Sequence, residues 1–274
     1  NNVAQSLGTI YNMGDMTVSN TLIAKNEAGA AAGGIFCYSS TEKTTVLTNV
    51  TIADNTAVHE GGAILAILNA KITINNSIIW GNTSLDENVV SKGLPIEYQN
   101  SLVEDITDNT NGNIEGIPAN KPLFAGEMSG YDPSIPYYSL DINSPGVNGG
   151  DKSLYAAAGG TASDLSGIDR TGNTDIEMGA YESTRNLVYH SNFDTDMINV
   201  LRLAKATTSA TIDTYEASSL PTRTDYSFAQ WTSEANGGTP YTHGQAVDIT
   251  DITICHIHAP WSKNQTPPTP PLPV

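Results

Sequence analysis

The feature that most constrains the fold is an internal repeat in the first hundred residues. Pairs of asparagines six residues apart occur three times, and the first of each pair recurs after 29 and then 27 residues: Asn20 and Asn26, Asn49 and Asn55, Asn76 and Asn82. A second motif keeps nearly the same period, at Gly8-Thr9-Ile10, Gly34-Ile35-Phe36 and Gly62-Ala63-Ile64. Two motifs that share one period are typical of a solenoid.

A period of this length holds about three short strands joined by tight corners. Alternation such as Val50-Thr51-Ile52 and Ile72-Thr73-Ile74 turns one side chain inward and the next outward. We therefore predict an all-β fold, with a right-handed parallel β-helix over residues 1–105. Three coils occupy residues 6–84, and a fourth, irregular coil lies near 94–105. A helical interpretation is disfavoured because the runs are short, β-branched and broken by Gly and Asn.

Two sets of residues are expected to have structural roles at the corners of the coils. Asn26, Asn55 and Asn82 would lie above one another, in the left-handed conformation, with each amide bonded to the next. The Gly33-Gly34 and Gly61-Gly62 pairs, whose second residues Gly34 and Gly62 are taken as structural, would mark another corner where positive φ is required.

The composition excludes several kinds of partner. There are 12 Lys and Arg against 29 Asp and Glu, which gives a formal net charge of −17. Such a surface repels nucleic-acid phosphates and anionic lipid headgroups, so we expect no nucleic-acid partner and no direct membrane insertion. The two cysteines leave the redox compartment undecided. Because the chain begins within a repeat and without signal-peptide features, we interpret it as a piece of a longer protein.

The coil motifs also resemble a known group of proteins. Ile23-Ala24-Lys25-Asn26 with Gly33-Gly34-Ile35-Phe36, and Ile52-Ala53-Asp54-Asn55 with Gly61-Gly62-Ala63-Ile64, are similar to the paired repeats of chlamydial polymorphic outer-membrane proteins. Many secreted β-helices share such short motifs, so the resemblance indicates architecture more than activity.

A second resemblance lies between residues 122 and 182, where the order of motifs is similar to that of choice-of-anchor Q proteins, which are bacterial β-helix surface proteins. Gly146 and Gly149 stand where that family usually has alanine. The resemblance implies secretion and display on the bacterial cell surface or outer membrane, and it implies no catalytic residue. The motifs are Pro122-Leu123-Phe124, Tyr138-Ser139-Leu140, Ser144–Asp151, Asp164–Arg170 and Asp175–Glu182.

Residues 106–184 are expected to form a loop-rich cap, because an open coil exposes unpaired strand edges. Asp151, Asp164, Asp169 and Asp175 could alternatively cluster around Ca²⁺. Their spacing matches neither an EF-hand nor a nonapeptide calcium repeat, so turn and cap roles are favoured and no cofactor is expected.

Residues 185–263 lack Asn pairs and resemble the internalin B-type, or Listeria–Bacteroides, repeat, a small β-grasp-like module of bacterial surface proteins. The resemblance rests on Pro221-Thr222-Arg223, the Tyr-x-Phe-x-x-Trp motif at residues 226–231, and Gly237-Gly238. Asp225 and Gln230 replace glycines usual in that family. Phe228 and Trp231 are interpreted as core residues rather than a ligand platform. Residues 264–274 form a proline-rich extended tail or linker.

A search for catalytic groups finds none in the sequence. Lys25 falls over Asp54, which predicts a weak ion pair between coils. The coils lack arginine and place no two carboxylates in phase in neighbouring coils, and their single histidine, His59, is interpreted as a solvated corner residue. His256 and His258 would share one face of a strand, but no third metal ligand lies in phase with them.

The sequence therefore predicts a non-catalytic, secreted or cell-surface protein, an adhesin or glycan-binding stalk. Trp80 and Tyr38 are the candidate binding residues, and glycans or host surface proteins are the candidate partners. Two alternatives remain open at this point. One is a carbohydrate-active enzyme, a polysaccharide lyase or glycosidase, whose active coils precede residue 1. The other is a purely structural spacer.

Overall fold

The secondary structure is almost entirely β, with 48% of the residues in strands and 6% in helices. The chain divides into two compact units, Asn1–Ser183 and Thr184–Val274. The tail at 264–274 and the Pro221-Thr222-Arg223 motif lie outside the described residues. The computed structural model describes residues 2–128, 131, 133, 135–170, 175–190, 192, 198–204, 207, 209–212, 226–228, 230–235, 237–242, 244–250, 254–259 and 261–263.

The first unit is a parallel β-solenoid of about four turns, as the repeat predicts. Strands β1, β4 and β6 form one three-stranded sheet, and the other eight form a larger sheet that bends around the corners. The right-handed sense of the coil stays a prediction. The strands are β1 (Val3–Ala4), β2 (Ile10–Asn12), β3 (Met16–Ala24), β4 (Glu27–Ala28), β5 (Ile35–Ala53), β6 (Thr56–Ala57), β7 (Ile64–Asn75), β8 (Ile78–Trp80), β9 (Val89–Gly93), β10 (Ile96–Gln99) and β11 (Leu102–Val103).

The pairing register confirms the period and the fourth coil. Met16 pairs with Thr45, Thr45 with Ile72, and Ile72 with Ile96, so the spacing falls from 29 to 27 to 24 residues. The inward positions form a core of aliphatic side chains, each of which stabilises the fold by about 2 kcal/mol when fully buried. Those with no exposed surface are Ile35, Leu47, Val50, Ile52, Ile64, Ile72 and Ile74.

The predicted asparagine ladder is present at one corner of the coils. Asn26 Nδ2 donates to Asn55 Oδ1 at 2.8 Å, and Asn55 Nδ2 donates to Asn82 Oδ1 at 2.9 Å. The backbone N–H groups of Asn26 and Asn55 donate to the same two oxygens, both at 3.0 Å. The ladder is one rung longer than predicted, because Asn2 Nδ2 donates to Asn26 Oδ1 at 3.1 Å.

The backbone conformation predicted for this ladder is wrong. The left-handed conformation occurs instead at the first asparagine of each pair and at the residue that precedes the second one, so the chain reverses before the ladder side chain rather than at it. The first set is Asn20, Asn49, Asn76 and Asn100, with φ between 45° and 54°, and the second is Lys25, Asp54, Gly81 and Asp105, with φ between 55° and 71°.

At the second corner, positive φ occurs in the Gly61-Gly62 pair, as predicted, but not in the Gly33-Gly34 pair, and neither Gly34 nor Gly62 has it. At that corner the positive φ belongs to Ala32 (60°) and Gly61 (67°). Glycine is needed at Gly34 and Gly62 because successive coils approach closely. A Cβ on Gly34 would lie 2.6 Å from the carbonyl oxygen of Ala63, and one on Gly62 would lie 2.6 Å from the side chain of Asn88.

Most of the predicted cap lies on the side of the solenoid rather than at its end. Ile114 bridges to Leu102 and continues the last coil briefly. The described residues within 122–183, which we call the flank segment, instead cover the outward face of β8 and β11, because that face is apolar. The segment contains one short helix, α1 (Lys152–Ala157), and 3₁₀ turns lie at Pro118–Asn120 and Ala125–Glu127. The buried side chains of this contact are Ala53, Ile78, Trp80 and Leu102 from the coils and Phe124, Tyr138, Leu140 and Met178 from the flank segment.

The left-handed asparagines hold the flank segment by hydrogen bonds. Asn49 Nδ2 donates to the carbonyl of Glu177 at 2.9 Å. Asn76 both donates to the carbonyl of Asp151 and accepts from its N–H, each at 2.8 Å. Asn49 and Asn76, the first asparagines of their pairs, therefore attach a second layer of chain to the coils.

The second unit contains a five-stranded mixed sheet in the order β13-β12-β19-β16-β17. The first and last of these strands, β12 and β19, are parallel neighbours at the centre, with an antiparallel pair on each side, which is the sheet order of a β-grasp fold. Two further strand pairs, β14–β18 and β15–β20, form separate two-stranded antiparallel sheets. The strands are β12 (Thr184–His190), β13 (Ile198–Ala204), β14 (Ser209–Thr211), β15 (Tyr226–Phe228), β16 (Trp231–Glu234), β17 (Gly237–Tyr241), β18 (Ala246–Asp248), β19 (Ile254–His258) and β20 (Trp261–Lys263).

Candidate ligand-binding cleft

The candidate site is built on one corner of the coils, where four left-handed residues stack. Lys25, Asp54 and Gly81 directly follow paired strand positions. Asp105 lies two residues after Val103, which pairs with Ile79, so it continues the same register and each of the four residues lies one coil from the next. Three of them carry long or charged side chains, and Gly81 carries none. A Cβ on Gly81 would lie 2.5 Å from Asp54 Oδ1, so the carboxylate of Asp54 leans into the space that a side chain would fill. We call this space the Gly81 notch.

The notch opens into a cleft of about 360 Å³ between the coil corner and the flank segment. A smaller cavity of about 180 Å³ is lined by residues 87–89 and 104–106, and Glu104 lines both. The cleft is lined by Asp54, Trp80, Gly81, Glu104, Pro118, Lys121, Phe124 and Glu127.

Asp54 and Glu104 approach the notch from opposite sides. The phenol of Tyr138 donates to Asp54 Oδ2 at 2.6 Å, and the N–H of Gly81 donates to Glu104 Oε2 at 2.7 Å. Burial raises the pKa of the Glu104 carboxyl, and the negative charges of Asp105 and Asp54 raise it further. Within the part of the chain that the structure describes, no Lys, Arg or His nitrogen lies within 4.0 Å of either carboxylate.

The predicted ion pair between Lys25 and Asp54 is therefore wrong, although the two residues are in register. Lys25 Nζ lies 4.3 Å from the ring centroid of Tyr137, where a cation–π contact replaces the ion pair. Lys121, the other lysine near the cleft, pairs with Glu127 at 2.8 Å. Both lysines thus have partners outside the notch.

The chemistry of this cleft suits a ligand rich in hydroxyl groups. Carboxylate oxygens accept hydrogen bonds at the notch, Lys121 can donate from the rim, and the exposed ring of Pro118 supplies an apolar wall. A concave site with a few convergent polar groups on an apolar lining is the usual form of a small-molecule site.

The two predicted binding residues do not form a displayed surface. Trp80 is only 6% exposed, because the flank segment covers it, so it lines the cleft as part of the core beneath. Tyr38 is half-buried against a separate apolar cluster on another face of the coils and does not line the cleft. The prediction of an exposed Trp80 is thus wrong.

The four aspartates considered for Ca²⁺ have turn roles or stand apart. Asp151 caps α1 by accepting from the N–H of Ser153 at 2.6 Å, and Asp164 Oδ1 accepts from the N–H of Ile168 at 2.8 Å. Asp169 bridges to Ser163, and Asp175 is exposed. Across the described ranges no three His, Cys, Asp or Glu side chains form a group that could hold a metal ion.

Residues from two of the sequence motifs in the flank segment, Asp164–Arg170 and Asp175–Glu182, form a buried polar cluster, which we call the clamp. Arg170 is fully buried and pairs with Glu182 at 2.7 Å, while its second amino group donates to the carbonyl of Gly179 at 2.8 Å. Asp164 Oδ2 accepts from the N–H of Glu182 at 2.7 Å. Burial raises the pKa of Glu182 well above the usual carboxyl range, and the neighbouring carboxylate of Glu177 raises it further. These motif residues hold the segment together and do not reach the cleft.

In the second unit, the described structure adds a histidine to the two seen in sequence. His256 and His258 share one face with His190, whose Nε2 lies 2.8 Å from His256 Nδ1. The rings are stacked and hydrogen-bonded rather than arranged around a common point. Trp231 is 6% exposed within the core, as predicted; the side chain of Phe228 lies outside the described residues.

The cleft was not predicted from the sequence, because Asp54 was considered only beside Lys25 and Gly81, its nearest neighbours in the stack. Following the same corner one coil further, past Gly81 to Asp105, would have revealed two acidic coils around a glycine. The contribution of the flank segment had no signal in the repeat.

The comparisons with known proteins identify no relative. No family model, curated protein or solved structure matches the chain. The resemblances to choice-of-anchor Q, polymorphic outer-membrane and internalin B-type proteins therefore stay predictions. No helix among the described residues has the length and apolar character needed to cross a membrane.

Proposed function

We propose that the chain is a non-catalytic, glycan-binding part of a secreted or cell-surface β-solenoid protein of bacterial type. The cleft at the Gly81 notch is the observation that supports this proposal. Its carboxylates can accept hydrogen bonds from sugar hydroxyls, and the apolar wall formed by the exposed Pro118 suits the C–H face of a sugar ring. A negative cleft in a chain of net charge −17 disfavours uronic and sialic acids.

A glycan array probed with the purified chain tests this proposal. We expect binding to neutral or amino glycans and none to acidic glycans. Lys121→Gln removes the charged donor at the rim and should weaken binding about tenfold, the value of one charge-assisted hydrogen bond. Lys71→Gln is the matched control, because Lys71 also pairs with a glutamate, at 2.9 Å, but lies outside the cleft. An array without any binding, or equal losses in both variants, would contradict the proposal.

A second candidate, a glycoside hydrolase, is favoured by one observation. Glu104 has a raised pKa and faces the carboxylate of Asp54 across Gly81, and an acid beside a carboxylate is the arrangement that glycoside hydrolysis requires. Release of reducing ends from a bound glycan, lost in Glu104→Gln, would favour the enzyme over the binding protein.

A further inference from the structure

In the stack of left-handed residues at the cleft, Gly81 lacks both the side chain and the charge that the other residues carry. The stack runs from positive Lys25 to negative Asp54, then to Gly81, and then to Asp105, with Glu104 beside it. A cationic side chain at residue 81 would continue the alternation and neutralise the carboxylates on both sides. The chain instead has a glycine there, with the Asp54 carboxylate leaning into the vacant side-chain position.

We infer that the Gly81 notch binds an ammonium group of the ligand, which makes amino sugars the preferred class of glycan. This inference rests on the proposed function and adds the chemical group that is recognised. An ammonium has three N–H donors, enough to bond both carboxylates at once while it occupies the position of the missing side chain. The sugar ring would then extend toward Pro118 and Lys121, which are exposed and line the same cleft.

Charge and geometry both favour an ammonium over the other ligands that carboxylates attract. Two carboxylates that have no Lys, Arg or His nitrogen within 4.0 Å among the described residues concentrate negative potential in a concave site, which attracts a cation and repels acidic sugars. Among the described residues, no three His, Cys, Asp or Glu side chains at this site form a group that could hold a metal ion. Lys25 contacts Tyr137 and Lys121 pairs with Glu127, so neither forms an ion pair with the notch carboxylates, and Lys121 acts on Asp54 and Glu104 only through its charge at longer range.

The test compares three β-1,4-linked disaccharides that differ only in the group at carbon 2. Calorimetric titration of the full chain at about pH 6 would use the glucosamine, N-acetylglucosamine and glucose disaccharides. We expect the glucosamine disaccharide to bind about tenfold more tightly than the other two, the value of a charged hydrogen bond. Asp54→Asn and Glu104→Gln should each reduce this preference to near unity. Glu97→Gln, which removes a carboxylate outside the cleft, should keep it.

A substitution that adds a side chain at residue 81 tests the same inference. Gly81→Lys places an ammonium in the notch of the protein itself, and Lys25 shows that this stack accepts lysine at a φ of 57°. The variant should fold and lose the preference for the glucosamine disaccharide; if it fails to fold, the two carboxylate variants decide.

The outcomes separate this inference from the proposed function. Equal affinity for all three disaccharides overturns the inference and leaves glycan binding in place. A preference that survives in Asp54→Asn and Glu104→Gln also overturns it, because the net negative charge of the chain would then be the cause. Absence of binding to every glycan tested overturns both.

Discussion

At several positions in this solenoid, contacts with the next coil limit which residue type can be accommodated. Asn55 illustrates this: its side chain accepts from Asn26, donates to Asn82, and donates to the carbonyl of Ile23 at 2.9 Å. Glycines follow the same rule, because a Cβ on Gly33 would lie 2.3 Å from the carbonyl oxygen of Gly62. The sequence pattern identified these positions correctly but gave the wrong reason for the glycines.

The glycine contacts predict a large difference between two otherwise similar substitutions. Gly33→Ala should lower the free energy of unfolding by at least about 2 kcal/mol, because backbone has to move to admit the methyl group. Gly14→Ala is the control, since nothing lies within 4 Å of a Cβ there, and it should change stability by less than about 0.5 kcal/mol. Urea denaturation of both variants measures this, and similar losses would show that coil spacing is not the constraint.

The flank segment is an element whose shape depends on a buried polar clamp. Arg170 faces two carboxyl groups, Glu177 and Glu182, in a region with almost no exposed surface. One carboxylate balances the guanidinium, and the second is stable there only with a proton. The side chain of Ser183 donates to Glu177 Oε1 at 2.8 Å and fixes that carboxyl group in place.

This clamp predicts that stability depends on pH in a defined direction. The pKa of Glu182 in the folded chain is raised from 4.5 to about 9. The folded state therefore binds the proton more tightly than the unfolded state, so the stabilising contribution is complete below about pH 4.5 and is lost as the pH rises towards 9. Thermal melting from about pH 5 to pH 9 should show a falling melting temperature.

Glu177→Gln provides the control for this pH dependence. The amide can donate to Glu182 without taking up a proton, and it keeps an acceptor for Ser183. The variant should flatten the fall between about pH 5 and pH 9. A wild-type melting temperature that rises over this range would contradict the assignment of a shared proton.

At the scale of the whole molecule, each of the two units has its own hydrophobic core. The core of the first unit is continuous through the coils, and a second apolar layer lies between the coils and the flank segment. The second unit has a separate core around Leu187, Tyr189 and Trp231. Units with separate cores are expected to fold independently.

Truncation tests this organisation. Residues 1–183 alone should fold and remain monomeric, whereas residues 1–121 should self-associate because the apolar faces of Ile78 and Trp80 lose their cover. Trp80 is the only tryptophan before residue 184, so its fluorescence reports the flank contact directly. We expect a blue-shifted emission in the longer chain and a red shift in the shorter one. Size-exclusion chromatography of both chains completes the test, and a monomeric, blue-shifted 1–121 chain would contradict it.

The solenoid, its period, its fourth coil and the Asn26–Asn55–Asn82 ladder follow from the sequence by itself. They depend on repeated local patterns, in which each coil presents the same residue types to the next and period and pairing register coincide. The flank contacts, the burial of Trp80 and the cleft at Gly81 were decided only by the tertiary structure. The bond between Asn49 and Glu177 joins residues 128 apart in the chain, and no periodic signal records such a contact. Local repetition therefore determined the scaffold, and long-range packing determined which of its corners is covered and which remains open to a ligand.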